Sequence, residues 1–88
     1  MLAAHLDTVF PEGTDVRVKE KDGRLYGPGL SDDARGLAVI LRVARLLKQS
    51  RLRILGDLLF VGTVGEEGAG DLRGAKALVR DHPEMDGF

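Results

Sequence analysis

Three small clusters of histidine and carboxylate side chains are the part of this sequence that could do chemistry. They are His5 with Asp7, Asp32 with Asp33, and Glu66 with Glu67. One imidazole with several carboxylates and no cysteine sulfur suits zinc, cobalt or manganese. Two such ions about 3.5–4 Å apart can share a carboxylate and hold a hydroxide, and a glutamate that is not a ligand can then act as general base. The three clusters together favour a two-metal hydrolytic site.

Each cluster taken alone also has an ordinary structural explanation. His5 and Asp7 share one face of a strand, where they are either a polar strand end or a metal-binding histidine with the acceptor that orients it. The aspartate pair suits the N-cap and first turn of a helix. The glutamate pair suits a solvated loop, although adjacent like charges at a buried strand end are costly without a cation.

The elements that must position these clusters follow from hydrophobic periodicity and turn residues. Asp22-Gly23 between alternating segments indicates a hairpin. The predicted order is a strand over Met1–Leu6, a hairpin over Val16–Tyr26, a helix over Gly36–Gln49, a strand over Asp57–Val64 and a helix over Asp71–Asp81.

Each predicted helix has an apolar stripe that we expect to face inward. For the first helix the stripe is Leu37, Ile40, Leu41, Ala44 and Leu47. For the second it is Leu72, Ala75, Leu78 and Val79.

A strand, helix, strand, helix order predicts an α/β sandwich with helices on a sheet whose central strands are parallel. Ligand sites in such sheets gather at the carboxyl ends of the strands. His5, Asp32 and the glutamate pair all fall at that edge in the predicted topology, in strand-to-loop or loop-to-helix positions. The fold class therefore brings the three clusters together.

Composition excludes several classes of protein. The sequence is 43% hydrophobic and 31% charged with a net charge of -1, which is unlike a disordered tail and unlike a chain whose principal partner is nucleic acid. No apolar run approaches the ~20 residues of a membrane span. The absence of cysteine excludes a disulfide scaffold and thiolate metal ligands, and is compatible with a cytoplasmic location.

Three motifs, in this order and at this spacing, resemble those of the co-catalytic zinc exopeptidases. This family includes glutamate carboxypeptidase, peptidase T, acetylornithine deacetylase and succinyl-diaminopimelate desuccinylase. The motifs are His5-Leu6-Asp7-Thr8-Val9, Gly23 to Asp33 (GRLYGPGLSDD), and Thr63-Val64-Gly65-Glu66-Glu67-Gly68. The resemblance spans nearly the whole sequence and implies two zinc ions, for which cobalt or manganese could substitute.

The resemblance implies a role for each residue that matches a family motif. His5 ligates one zinc, Asp7 orients His5, and Asp32 bridges both ions. Glu67 ligates the other zinc, and Glu66 is the base that deprotonates the bridging water. The resemblance also implies a cis peptide bond between Asp32 and Asp33. His82, at a helix end, is not expected to be a ligand.

The resemblance further implies that residues 1–88 are part of a catalytic domain, truncated at both ends, from a three-layer α/β/α sandwich with a mixed sheet. The family carries another acidic ligand, a last histidine and a lid or dimerisation domain, and no motif here matches them. The implied substrate of the parent protein is a peptide or an N-acyl amino acid. We expect the piece alone to be inactive, no nucleic-acid or membrane partner, and self-association through bare strands.

Two rival functions remain open from the sequence. In the first, the chain is a non-enzymatic folding or assembly module whose acidic residues are helix caps and a solvated rim. In the second, Asp32 and Asp33 serve magnesium-dependent phosphoryl transfer, although no Gly-Lys-Ser/Thr phosphate loop accompanies them.

Overall fold

The computed structural model describes residues 1–87 and has an α/β fold in which strands and helices occur in the predicted order. The elements are β1 (Leu2–His5), β2 (Lys19–Lys21), β3 (Arg24–Tyr26), α1 (Arg35–Gln49), β4 (Phe60–Thr63) and α2 (Arg73–Asp81). An irregular turn over Leu30–Ala34 leads into α1, and a short 3-10 turn over Gly68–Gly70 precedes α2.

Strands β1 and β4 form a parallel pair, with Leu2 opposite Phe60 and His5 opposite Thr63. Helix α1 lies in the connection between them and packs against both strands. A parallel pair requires such a crossover, because its two strands run the same way and cannot be joined by a tight turn. The carboxyl ends of β1 and β4 consequently meet at one edge, as predicted.

The hairpin is a separate antiparallel sheet of β2 and β3. Its turn residues Asp22 and Gly23 both have positive φ, 52° and 70°. Two positive φ angles in a two-residue turn match the right-handed twist of a hairpin, and Asp-Gly tolerates them well. The predicted hairpin is therefore confirmed at its turn, with strands shorter than the alternating segment suggested.

Strand β4 is also shorter than the predicted segment Asp57–Val64. It begins at Phe60 because its partner β1 pairs with Phe60–Thr63 only, which leaves Asp57 and Leu58 without a paired residue in this sheet. Apolar composition predicted the segment correctly but not its length, since strand ends are set by the partner strand.

The apolar stripe of α1 is confirmed except at Leu41. Leu37, Ile40 and Ala44 are half-buried, whereas Leu41 is 69% exposed. Successive helix residues are rotated by about 100°, so the face centred on Ile40 and Ala44 turns Leu41 toward the solvent side and brings Val43 inward instead.

Helix α2 is rotated relative to its predicted stripe. Ala75 and Leu78 are half-buried as expected, but Leu72 and Val79 are 47% and 54% exposed. Leu72 has a positive φ and lies before the first helical residue, and the Gly74 N–H donates to the Val64 carbonyl at 3.1 Å. This bond presents the Gly74 side of the helix to the end of β4.

Within residues 1–87, no helix has both the length and the apolar character needed to cross a membrane.

Candidate metal centre

Among residues 1–87, His5 is the one polar or charged residue that is buried, with 8% of its surface exposed. Its ring is held from both sides, since Nδ1 lies 2.9 Å from the Asp7 carbonyl oxygen and Nε2 lies 2.8 Å from Asp32 Oδ1. Because a carbonyl can only accept, Nδ1 carries the proton, and neutral His5 turns the lone pair of Nε2 toward a carboxylate oxygen. The Nε2 lone pair and Asp32 Oδ1 are both acceptors, so their 2.8 Å contact requires a proton or a metal cation.

The pKa of His5 reflects that need. Burial favours the neutral imidazole, but hydrogen bonds to the Asp32 carboxylate and the Asp7 carbonyl, together with the charge of Glu66, outweigh it and raise the pKa above 6.5. In the absence of metal, a proton on Nε2 satisfies the contact with Asp32. A metal ion and this proton would compete for the same nitrogen.

Asp7 acts on two segments, on His5 through its backbone carbonyl and on the glutamate pair through its carboxylate. The backbone carbonyl of Asp7 orients His5, while the Asp7 carboxylate is 3.8 Å from Nδ1. That carboxylate instead accepts the N–H groups of Glu67 at 3.0 Å and Glu66 at 3.4 Å. These bonds, chiefly the one from Glu67, lower the pKa of Asp7 below its usual value.

The aspartate pair lies in the irregular turn before α1, where neither residue has helical dihedral angles. The peptide bond between Asp32 and Asp33 is cis, as the resemblance implied. The two side chains diverge in their contacts. Asp32 is exposed and contacts His5 Nε2, whereas Asp33 is half-buried and its Oδ1 accepts the Gly36 N–H at 3.0 Å, as a helix cap does. The cap explanation therefore suits Asp33 and not Asp32.

The glutamate pair follows β4 and lies between closely packed glycines. A Cβ on Gly70 would overlap the Gly65 carbonyl group, and a Cβ on Gly74 would lie 2.5 Å from the Val64 carbonyl oxygen. This close approach holds the start of α2 against the end of β4. The turn that carries Glu66 and Glu67 is thereby fixed at the edge where His5 lies.

His5, Glu66 and Glu67 offer ligand atoms that all lie within 4.8 Å of one another. Because zinc bonds to nitrogen and oxygen are about 2.0–2.2 Å long, donors of one ion lie about 3–4 Å apart. The donor set, one nitrogen with carboxylate oxygens, suits divalent ions such as zinc, and the 4.8 Å limit on the distances between its atoms is wider than the donors of a single ion require. Asp32 lies next to these three residues, because its Oδ1 contacts His5 Nε2.

The structure thus brings together the five residues to which the resemblance gives a catalytic or metal-binding role, namely His5, Asp7, Asp32, Glu66 and Glu67. His82 lies outside the group and its Nδ1 is 3.1 Å from Glu84 Oε1.

Asp33 makes a second contact at this site that the sequence did not predict. Its second oxygen, Oδ2, accepts the backbone N–H of His5 at 3.3 Å. The sequence did indicate the cap, since an aspartate side chain can accept the N–H three residues on, here that of Gly36. No local pattern could have indicated the bond to a strand 28 residues away.

The sequence is similar to known proteins along nearly its whole length. The model of peptidase family M20/M25/M40 matches residues 1–88. Carboxypeptidase G2 of Pseudomonas sp. (strain RS-16) is 33% identical over 88 residues, which cover 93% of this chain and 21% of that protein. Succinyl-diaminopimelate desuccinylase of Corynebacterium glutamicum is 37% identical over 84 residues, covering 96% and 22%.

A third match is shorter. N-formyl-4-amino-5-aminomethyl-2-methylpyrimidine deformylase of Bacillus subtilis is 38% identical over 48 residues, which cover 54% of this chain and 11% of that protein. The chain therefore spans about a fifth of the length of the first two relatives and less of the third.

Proposed function

Because this chain belongs to peptidase family M20/M25/M40, we propose that the protein that carries it hydrolyses a peptide bond or an N-acyl amide bond at a centre of two zinc ions. The names of the three relatives describe a carboxypeptidase, a desuccinylase and a deformylase. Each name describes cleavage of an amide bond, which either releases an amino acid or removes an acyl group from a nitrogen atom. The choice between exopeptidase and deacylase lies with residues that bind the substrate.

One observation carries this proposal: the buried imidazole of His5 directs Nε2 at the Asp32 carboxylate, 2.8 Å away, beside the glutamate pair. With the His5 proton on Nδ1, the lone pair of Nε2 and the Asp32 carboxylate repel each other unless a second proton or a metal cation lies between them. Three to four carboxylates around one imidazole are therefore better explained by a metal site than by a solvated rim.

We assign the ligands as the family resemblance implies. His5 would hold one ion, Glu67 the other, and Asp32 both. The ions, when bound, would polarise the scissile carbonyl and lower the pKa of water.

Glu66 and Asp7 have the remaining roles, which are proton transfer and the orientation of His5. Glu66 takes the proton of the attacking water and delivers it to the leaving amine, which is the work of a general base and then a general acid. The Asp7 carbonyl keeps the proton of His5 on Nδ1, so that Nε2 stays available as a ligand.

We further propose that residues 1–88 are a portion of the catalytic domain, in a three-layer α/β/α sandwich whose mixed sheet contains β1 and β4. The protein would be cytoplasmic, act on a peptide or N-acyl amino acid, and associate with copies of itself. Exposed apolar residues in or beside the parallel pair support the last point, namely Leu2 of β1 at 39% and Leu59, just before β4, at 38%. Strands that expose apolar residues and unpaired backbone groups readily pair with another chain.

The proposal is tested on the complete protein that carries this sequence. Its metal content is measured by elemental analysis, and hydrolysis is measured on a panel of dipeptides and N-acyl amino acids before and after chelation. We expect about two zinc ions per chain, hydrolysis of at least one amide class, and loss of that activity on chelation with recovery on zinc addition. A protein that binds no divalent metal and cleaves none of the panel would instead be an assembly module.

A further inference from the structure

Asp7 and Asp33 flank the candidate metal centre without being candidate ligands, and both use their carboxylates on backbone groups. Asp33 Oδ2 accepts the N–H of His5 at 3.3 Å, and Oδ1 accepts the N–H of Gly36 at 3.0 Å. Asp7 Oδ2 accepts the N–H of Glu67 at 3.0 Å, and Oδ1 that of Glu66 at 3.4 Å. Every one of the four carboxylate oxygens is used.

These bonds join segments that are far apart in the sequence. Asp33 ties the turn that carries Asp32 to the end of β1, across 28 residues. Asp7 ties the end of β1 to the glutamate pair, across 59 and 60 residues. The three segments that carry candidate ligands are thus linked in series by two carboxylates. Such charge-assisted bonds to backbone N–H groups are about twice as strong as neutral ones.

Gly36 provides the space that the Asp33 carboxylate occupies. A Cβ built on Gly36 would overlap all three atoms of that carboxyl group. Gly36 otherwise sits in the first turn of α1, where alanine has the higher helix propensity by up to about 1 kcal/mol. Glycine at this position therefore makes room for the Asp33 carboxylate and does not stabilise the helix.

We propose that Asp7 and Asp33 are positioning residues that set the relative placement of His5, Asp32 and the glutamate pair through the backbone, so that the ligands are arranged before metal binds. This inference rests on the proposed metal centre. It assigns the Asp7 carboxylate to the glutamate turn and not to the imidazole, and it gives Asp33 a role beyond the cap of α1.

The test uses zinc alone as the probe, with the complete protein and its variants titrated against a competing chelator. Asparagine keeps one acceptor oxygen and replaces the other with a donor, so Asp7→Asn and Asp33→Asn should each weaken zinc binding about 10–100-fold. Gly36→Ala keeps the Asp33 charge but displaces its carboxylate, and should weaken binding to a similar extent without lowering helix stability.

A double variant separates positioning from general destabilisation. If Gly36→Ala acts by displacing Asp33, then Gly36→Ala with Asp33→Asn should lose no more zinc affinity than the weaker-binding single variant. The matched control is Asp22→Asn, which removes the same charge in the hairpin turn and should bind zinc like wild type. Single variants with wild-type zinc affinity, or fully additive losses in the double variant, would overturn the inference.

Amide hydrogen exchange of the metal-free wild-type protein tests the inference without depending on whether any variant folds. The amide protons of His5, Gly36 and Glu67 should exchange with solvent more slowly than that of Gly13 in the exposed loop, because each is bonded to a carboxylate. Unprotected amides at these positions would also overturn the inference. If the amides are protected but the wild type binds no zinc, the proposed function fails while the carboxylate bridges stand.

Discussion

The edge of the sheet at β1 and β4 and the β2–β3 hairpin are held by different kinds of contact. At the edge, side chains bond across 27 to 60 residues, and His5 is buried. In the hairpin every strand residue is exposed, and the nearby ion pairs join Asp15 to Arg17 and Lys19, two and four positions away.

This contrast shows that the residues of the site are positioned by long-range contacts and those of the hairpin by local ones. The hairpin depends on a turn type that two adjacent residues specify, so substitutions there should act locally. The sheet edge depends on carboxylates and glycines that meet only after the chain has crossed over. Substitutions at the edge should therefore change metal binding or rate, whereas substitutions in the hairpin should change neither, and paired substitutions in the two regions test this difference.

The largest expected effect is at the glutamate pair. In the complete protein, Glu66→Gln should lower kcat about 10²–10⁴-fold, because a general base is lost, while zinc content stays near wild type. Glu20→Gln in the exposed strand β2 should change neither. Kinetics and elemental analysis measure both quantities. Loss of one zinc in Glu66→Gln would exchange the roles of Glu66 and Glu67.

The next effect is on metal content. Asp32→Ala should release more zinc than His5→Ala, because Asp32 is proposed to contact both ions and His5 one. Asp22→Asn in the hairpin should retain the full complement. If Asp32 were only a helix cap, its loss would cost about 1 kcal/mol of stability with the metal intact. Zinc stoichiometry and thermal unfolding of the same samples distinguish these results.

A smaller effect is expected where a glycine is replaced. Gly74→Ala places a Cβ 2.5 Å from the Val64 carbonyl oxygen and should destabilise the fold by about 1–3 kcal/mol, with weaker zinc binding because α2 moves off β4. Gly23→Ala, at φ 70° in open space, should cost about 1 kcal/mol with unchanged zinc binding. Denaturant unfolding and zinc titration compare the two. Equal zinc affinity in both variants would remove the proposed coupling of α2 to the site.

The smallest effect belongs to the ion pair beside the hairpin. Arg17, with a lesser contribution from Lys19, lowers the pKa of Asp15 from 3.8 to about 2. A lowered carboxyl pKa stabilises the folded state above pH 3.8, and that contribution is lost as the pH falls through about 2. The effect is slight because the pair is exposed.

NMR titration should find the Asp15 pKa near 2 in wild type and higher in Arg17→Ala, though still below 3.8 because the backbone N–H of residue 17 and Lys19 remain, with unchanged zinc content. A wild-type Asp15 that titrates near 3.8 would contradict this assignment.

Local patterns predicted the elements better than their faces. The period of α1, the Asp22-Gly23 turn and the order of strands and helices were all legible in the sequence, since each depends on neighbouring residues. The inward stripe failed at Leu41, Leu72 and Val79, which are exposed. Which side of a helix is covered depends on what it packs against, and hydrophobicity alone does not report that.

The sequence by itself determined the chemistry available at this site: one histidine and five carboxylates, in motifs whose order and spacing match the family, near the ends of strands that a crossover makes parallel. Only the tertiary structure decided which atoms do what. It turned the Asp7 carboxylate from His5 to the Glu66 and Glu67 N–H groups, and it gave Asp33 a second partner on β1. The physical reason is that a residue type fixes the donors and acceptors it carries, whereas their partners depend on segments that pairing and helix packing bring together.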